Sequence, residues 1–457
     1  MYESKSKSSG KALIPFLIFV VVYLASGIIL QAKGVEMAFY QLPGPVAVLV
    51  GIIIAFIMFK GSVDEKFGTL VQGCGDENII IMCIIYLLAG AFSSVSEAIG
   101  GVDATVNLGL TLIPAKYATA GIFIIAGFIS ISTGTSVGTI VAIGPIAVGL
   151  AEKAGLNLSL VIAALIGGAM FGDNLSIISD TTIAATRTQG VEMRDKFRLN
   201  IRIALPAAII TIILLLIFGQ PTTVSEVGDY SFNIIKVLPY LFVLVAALAG
   251  VNVFIVLTGG IIFSGIIGIA YRELGILTFA QEVFSGFEGM FDIFLLSMLT
   301  GGLAFMVTKE GGLQWILEKI QGRIKGKKTA EVGIAALISL IDAATANNTV
   351  AIIISGPIVK EISKTYKVDP RRTASLLDAF SCVMQGMIPY GAQLLIAASF
   401  TKGLVSPIEI IPLLWYQQLL ALAAIISIFI PYADGIIKRE PWDFENDKVA
   451  LESVKDN

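Results

Sequence analysis

The chain has 457 residues, of which 56% are hydrophobic and 14% charged, and its mean hydropathy is +0.87. Soluble domains carry about a quarter charged residues, so these figures exclude one and indicate a polytopic helical membrane protein. A net charge of −3 implies no nucleic acid or other polyanion as partner.

Residues 1–12 form a polar tail carrying Lys5, Lys7 and Lys11, expected in the cytoplasm. No small-residue cleavage site closely follows the first apolar run, so 13–31 reads as a span rather than a signal peptide. Further apolar runs of about 20 residues occupy 43–60, 78–97, 159–186 and 199–219. A linker over 220–235 contains Glu226 and Asp229 and is expected outside. Five more runs follow at 236–251, 253–271, 291–308, 372–402 and 408–433, then a second cytoplasmic tail over 434–457. Between 313 and 328, Trp315, Ile316, Ile320 and Ile324 alternate with Lys and Arg, the pattern of a helix lying in the membrane interface.

Two apolar regions remain, 117–151 and 331–360. Each is divided by a small, hydroxyl-rich stretch, Thr133 to Pro145 in the first and Thr345 to Pro357 in the second. The arms are short for spans and suit re-entrant hairpins. The basic clusters favour that reading. Arg187, Arg194, Lys196, Arg198 and Arg202 fall inside, as do Lys319, Arg323, Lys325, Lys327 and Lys328, and then Lys360, Lys364, Lys367, Arg371 and Arg372, if both regions are hairpins. The expected fold is therefore all-α, with two repeats of five spans and one hairpin each: 13–219, with a broken helix at 159–186, and 236–433, with a broken helix at 372–402. An odd number of crossings makes the repeats inverted, as in many transporters.

There is no histidine. Cys74, Cys83 and Cys382 show neither metal spacing nor a disulfide framework. Proton chemistry then falls to carboxylates or a lysine retuned by burial. An ionisable side chain at membrane depth costs roughly 2.5–3.5 kcal/mol on insertion scales and suggests function. Asp173 and Asp180 lie in the broken fourth span, Asp342 in the second hairpin, Asp378 in the ninth span and Glu97 near the end of the third. No Lys or Arg is expected at similar depth, so the interior should favour cations. Asp173, Ser176 and Asp180 share a face of a continuous helix, and hydroxyls supply oxygen ligands for a hard cation. Thr135, Ser136 and Thr139 add hydroxyls at the first hairpin tip, whereas Asn347, Asn348, Thr349 and Gln385 add donors in the second half. The small residues at these breaks also permit close helix packing.

The run Gly134-Thr135-Ser136-Val137-Gly138-Thr139, followed by Gly172-Asp173-Asn174-Leu175-Ser176 and Ser179-Asp180-Thr181-Thr182, resembles the NhaC-type sodium/proton antiporter family within the ion transporter superfamily. The family pattern has Pro after the Ser of the second motif, where Ile177 stands here. The tip Asn347-Asn348-Thr349 is similar to Ser-Asn-Thr hairpin tips of the superfamily's sodium-coupled dicarboxylate carriers. The resemblance implies a homodimer with scaffold and transport domains and an elevator-like movement. Members of the resembled group include sodium/proton antiporters, an exchanger of malate and lactate, and amino-acid carriers.

The leading expectation is a secondary active transporter of the inner membrane that exchanges sodium for protons by alternating access. Asp173, Asp180, Ser176, Thr135, Ser136 and Thr139 would bind the cations, with sodium itself at Asp173, Ser136 and Asn348. The alternative is a sodium- or proton-coupled carrier of a small amino acid or carboxylate held by Asn347, Asn348, Thr349 and Gln385; an ion channel is more remote. An enzyme is not expected, for want of histidine, a metal-ligand cluster or a Ser-Lys pair at depth. No cofactor is expected beyond sodium ions and protons as coupling ions.

Overall fold

The computed structural model describes residues 8–33, 35, 38, 41–221, 231–249, 251–444 and 448–449. Lys5, Lys7, Glu226 and Asp229 lie outside the described residues. The first half runs α1 (Ile14–Ala32), α2 (Gly44–Met58), α3 (Val63–Cys74), α4 (Glu77–Ala98), α5 (Gly101–Leu112), α6 (Ala118–Thr133), α7 (Ser136–Ala154), α8 (Leu158–Leu175), α9 (Asp180–Gln189) and α10 (Met193–Phe218). The second runs α11 (Ile234–Leu248), α12 (Val253–Ala270), α13 (Ile276–Gly289), α14 (Phe291–Lys309), α15 (Gly312–Gln321), α16 (Lys327–Thr345), α17 (Asn348–Tyr366), α18 (Pro370–Gln385), α19 (Ala392–Ser399), α20 (Pro407–Ile410) and α21 (Trp415–Phe429). Among the described residues the only strands are two-residue segments at Trp442–Asp443 and Lys448–Val449. The chain is a nearly all-helical, multi-pass membrane protein.

The same order of elements runs twice. Two apolar helices lead to a short one (α3 or α13), an apolar helix, a second short helix (α5 or α15), a helical pair joined by a tight tip, a broken helix and a closing helix. The packing is reciprocal: α3 lies on α14 and α13 on α4, while α2 lies on α14 and α12 on α4. Gly90 and Gly286 permit the α4–α13 crossing, since a Cβ on either would stand 2.1 or 2.4 Å from the other's carbonyl oxygen.

Among the described residues nine helical segments are long and apolar enough to cross a membrane, or ten if Pro407–Leu413 and Trp415–Phe429, bent by 51°, form one span. The total is close to expectation, but its members differ. Both arms of the first pair, α6 and α7, meet the length criterion, whereas α2, with 15 residues, does not. The helix expected at 313–328 is the shorter α15, ending at Gln321, with α16 beginning at Lys327; α3, α5 and α13 are short helices that hydropathy alone did not separate.

The two tips are built alike. Gly134 ends α6 in the left-handed region at φ 71°, and Thr135 then caps α7 by accepting a hydrogen bond from the Gly138 amide at 3.2 Å. Ala346 ends α16 at φ 51°, and Asn347 caps α17 by accepting from the Val350 amide at 3.0 Å. A short side-chain acceptor at the N-cap satisfies one of the first-turn amides. A Cβ at Gly134 would stand 3.0 Å from the Ile178 backbone, so the first tip rests directly on the break between α8 and α9.

One expectation about charge fails. Lys196, counted among loop residues, is completely buried, as are Arg371 and Arg372. The closing helix of the first half begins at Met193, six residues earlier than the run at 199–219 suggested. Lys196, Leu199, Asn200, Ile203, Ala204 and Ala207 therefore share its buried face. Arg371 is neutralised by Asp369 and Arg372 by Glu331. The interior is not free of bases.

Candidate functional site

The break between α8 and α9 frees the last carbonyls of α8 and the first amides of α9. Ser179 caps α9 through the Thr182 amide, and the Thr182 hydroxyl donates to the Ser176 carbonyl at 2.7 Å. The Ser176 hydroxyl donates to the Ile131 carbonyl at 2.8 Å, tying the break to the last turn of α6. The polar side chains here are thus held by backbone atoms, which fixes the opening without filling it.

Asp173 sits in the last turn of α8, 5% exposed, and accepts a hydrogen bond from the Ser136 hydroxyl at 2.7 Å. Ser136 in turn accepts from the Gln393 side-chain amide at 3.1 Å, and Gln393 accepts from Gln385 at 2.8 Å. Gln385 also donates to the Ala346 carbonyl at 3.3 Å. A continuous polar chain therefore runs from Asp173 and the first tip, across the break between α18 and α19, to the second tip. It brings together Asp173, Ser136 and Gln385, and it places Ala346 beside Asn347 and Asn348.

The remaining residues take other places. Thr135 caps α7, and the Thr139 hydroxyl returns to the Thr135 carbonyl at 2.9 Å. The Asn348 side-chain oxygen accepts from the Thr349 amide at 3.0 Å, and both residues stand at the start of α17. Asp180 opens α9 on an exposed position and does not join the Asp173 chain. Glu97 is a correction: it stands in the last turn of α4, and its side chain is exposed and paired with Lys402 at 2.7 Å rather than buried.

Asp342 and Asp378 are both buried completely, in opposite circumstances. Asp378 Oδ2 receives Lys196 at 2.7 Å, Asn174 at 2.9 Å and Asn200 at 2.8 Å. Neither carboxyl oxygen of Asp342, one turn before the second tip, has a hydrogen-bond partner among the described residues. Each half thus contributes one buried carboxyl group without a basic partner, Asp173 or Asp342, at its own tip. A buried carboxylate without a counter-ion is costly, which makes these two positions candidates for cation exchange.

The sequence profile of the Na+/H+ antiporter family matches residues 6–220 and 222–432. This chain belongs to the Na+/H+ antiporter family. Its relatives there include the malate-2H(+)/Na(+)-lactate antiporter of Bacillus subtilis (strain 168), 24% identical over 96% of this chain and 99% of the relative. The Na(+)/H(+) antiporter NhaC of the same organism is 25% identical over 80% of this chain and 85% of its own length. The arginine/ornithine antiporter ArcD of Halobacterium salinarum (strain ATCC 700922 / JCM 11081 / NRC-1) is 24% identical over 85% of each. The family bears out the resemblance read from residues 134–182 and makes this antiporter-family chain a transporter rather than an enzyme.

Three features of the site escaped sequence reading. Gln393 is an isolated polar residue in Ala392-Gln393-Leu394-Leu395, a signal of the same kind as Gln385. Asn200 interrupts Leu199-Asn200-Ile201 in the same way. Lys196 was discounted as a loop charge, although it lies four residues before Asn200 and shares its helical face.

Proposed function

We propose that this chain exchanges sodium ions for protons across the inner membrane by alternating access, with Asp173 and Ser136 forming the primary cation site. The observation that carries the proposal is the pairing of a buried, base-free carboxylate with a hydroxyl on a hairpin tip. A sodium ion there would meet Asp173, Ser136 and carbonyls freed at the ends of α6 and α8, where helix dipoles present their negative ends. Asn348 and Asp342 would complete the cation path from the second half, and Asp180, Ser176, Thr135 and Thr139 would line its first-half side.

The reciprocal packing of the halves supports inverted repeats over 13–219 and 236–433, with α6–α7 and α16–α17 as hairpins entering from opposite faces. Packing of α1–α4 with α11–α14, and of α6 and α8 with one another as α16 does with α18, supports a scaffold and a moving body. On this reading the protein is a homodimer, moves like an elevator and keeps both termini in the cytoplasm.

A second reading has one observation in its favour. The Gln385–Gln393 amide pair between the tips leaves Gln385 Oε1 buried and without a hydrogen-bond partner. With Asn347, Asn348 and Thr349 it could hold a small amino acid or carboxylate, in line with the relatives named for malate, lactate, arginine and ornithine. Purified protein in proteoliposomes separates the readings. Sodium flux driven by a pH gradient alone supports antiport of ions; flux that appears only with an amino acid or carboxylate present supports the second.

A further inference from the structure

The Lys196 ammonium is bound as a metal cation would be. Its three N–H groups point to Asp378 Oδ2 at 2.7 Å, the Asn174 carbonyl at 2.6 Å and the Thr182 hydroxyl at 2.6 Å. These ligands come from α18, from the last turn of α8 and from the first turn of α9, so they converge on the broken helix from both its ends and from the opposite half of the chain. The Asn174 carbonyl belongs to the free C-terminal end of a half-helix, a place that attracts positive charge. All three ligands are oxygens, the donor type of hard cations.

The shell also holds more oxygen than one ammonium uses. Asn174 Oδ1 and Asp378 Oδ1 are buried and accept no hydrogen bond among the described residues. They belong to two of the residues that hold the Lys196 ammonium, so the residues around it carry acceptor capacity beyond its three bonds. Neighbouring groups include Asn200 of α10, which donates to Asp378, Ser375 of α18, which donates to Asn200, and Thr181, Asp173 and Cys382 close by. No second base is paired with Asp378 among the described residues.

We propose that Lys196 is a tethered cation: its ammonium permanently fills a second cation site, formed by Asp378, Asn174 and Thr182, that would otherwise take a sodium ion. The inference rests on the cation-exchange reading and deepens it. It separates Asp173 and Asp342, buried without a basic partner and open to exchange, from Asp378, closed by the chain's own lysine. The closed site keeps the α8–α9 break charged and in shape without a bound ion, and it lowers by one the number of sodium ions that a chain carries.

The experiment counts sodium ions bound per chain by purified full-length protein, using radioactive sodium, in wild type, Lys196→Met, Asp378→Asn and the double variant. Lys196→Met should bind one more sodium ion than wild type, and the double variant should lose that extra ion. Lys196→Arg, which keeps a tethered charge, should gain none. Equal binding by wild type and Lys196→Met overturns the proposal, as does an extra ion that survives Asp378→Asn. Removing Lys196 leaves Asp378 unneutralised, so folding is read as well by thermal unfolding in sodium chloride against choline chloride. Recovery of Lys196→Met in sodium but not in choline supports the proposal; failure to fold in both overturns it. Absence of sodium binding by wild type would instead count against the antiport reading, while a gained, Asp378-dependent ion in Lys196→Met would still stand for Lys196.

Discussion

Gln385 and Gln393 face each other across the break between α18 and α19, the amide of the first donating to the carbonyl oxygen of the second at 2.8 Å. One reaches the Ala346 carbonyl at the second tip and the other Ser136 at the first. Two side chains of the second half thus join the tips of both helical pairs, and any movement of one tip relative to the other must break or re-form these bonds.

Gln385→Leu removes two donated hydrogen bonds at similar side-chain volume. At about 1 kcal/mol for each bond, transport should fall roughly tenfold or more, while the protein remains folded in the membrane. Initial flux rates in proteoliposomes, normalised to inserted protein, check this. Wild-type rates would show that the amide chain is incidental to transport.

The tips should respond oppositely to exchange of their left-handed residues. Gly134→Ala adds a Cβ against the Ile178 backbone at φ 71°. Ala346→Gly relieves a left-handed alanine, a conformation that costs about 1–2 kcal/mol. Thermal unfolding in detergent should show a lower midpoint for Gly134→Ala and an unchanged or higher one for Ala346→Gly. Equal losses would mean that the tips are not built on the same plan.

Much of the architecture was legible because membrane helices announce themselves by length and hydropathy. The tip at Thr133-Gly134-Thr135-Ser136 and its counterpart at Thr345-Ala346-Asn347-Asn348 could be matched by residue type and order alone. Short helices such as α3 and α13 were hidden, since a dozen residues with mixed polarity read as loop. The site was legible in its acids and hydroxyls but not in its pairing. Lys196 belongs by sequence to a basic cluster expected in a cytoplasmic loop, and only its helical register with Asn200 places it inside. Conversely Glu97 ends an apolar run, and the run alone does not say that its side chain is exposed and paired with Lys402.

The proposed orientation rests on the basic clusters around 187–202 and 319–328. A cysteine placed at Lys325, after replacement of Cys74, Cys83 and Cys382, should react with an impermeant maleimide only once cells are opened. Labelling from outside intact cells would reverse the proposed topology. Cys83 and Cys382 are buried, and Cys74 only partly exposed, so their replacement should be made with residues of similar size.

The two tips are predicted to divide the work between ion and solute. Asn348 stands in the first turn of α17, where free amides favour a carboxylate or another acceptor. Asn348→Ala should weaken transport of any organic solute more than it weakens sodium binding. Calorimetry on purified protein compares the two directly. Loss of sodium binding in Asn348→Ala, with sodium binding intact in Asp173→Asn, would make the second tip the primary cation site.

The central claim is that the Asp173 carboxylate, held by Ser136, carries the exchanged cation. Asp173→Asn keeps side-chain shape and a hydrogen-bonding partner for Ser136 but removes the charge. A charge-assisted contact is worth about 1.5–3 kcal/mol, so sodium flux driven by a pH gradient in proteoliposomes should fall roughly 10- to 150-fold, in protein that remains folded and inserted. Flux within twofold of wild type in folded Asp173→Asn would contradict the account.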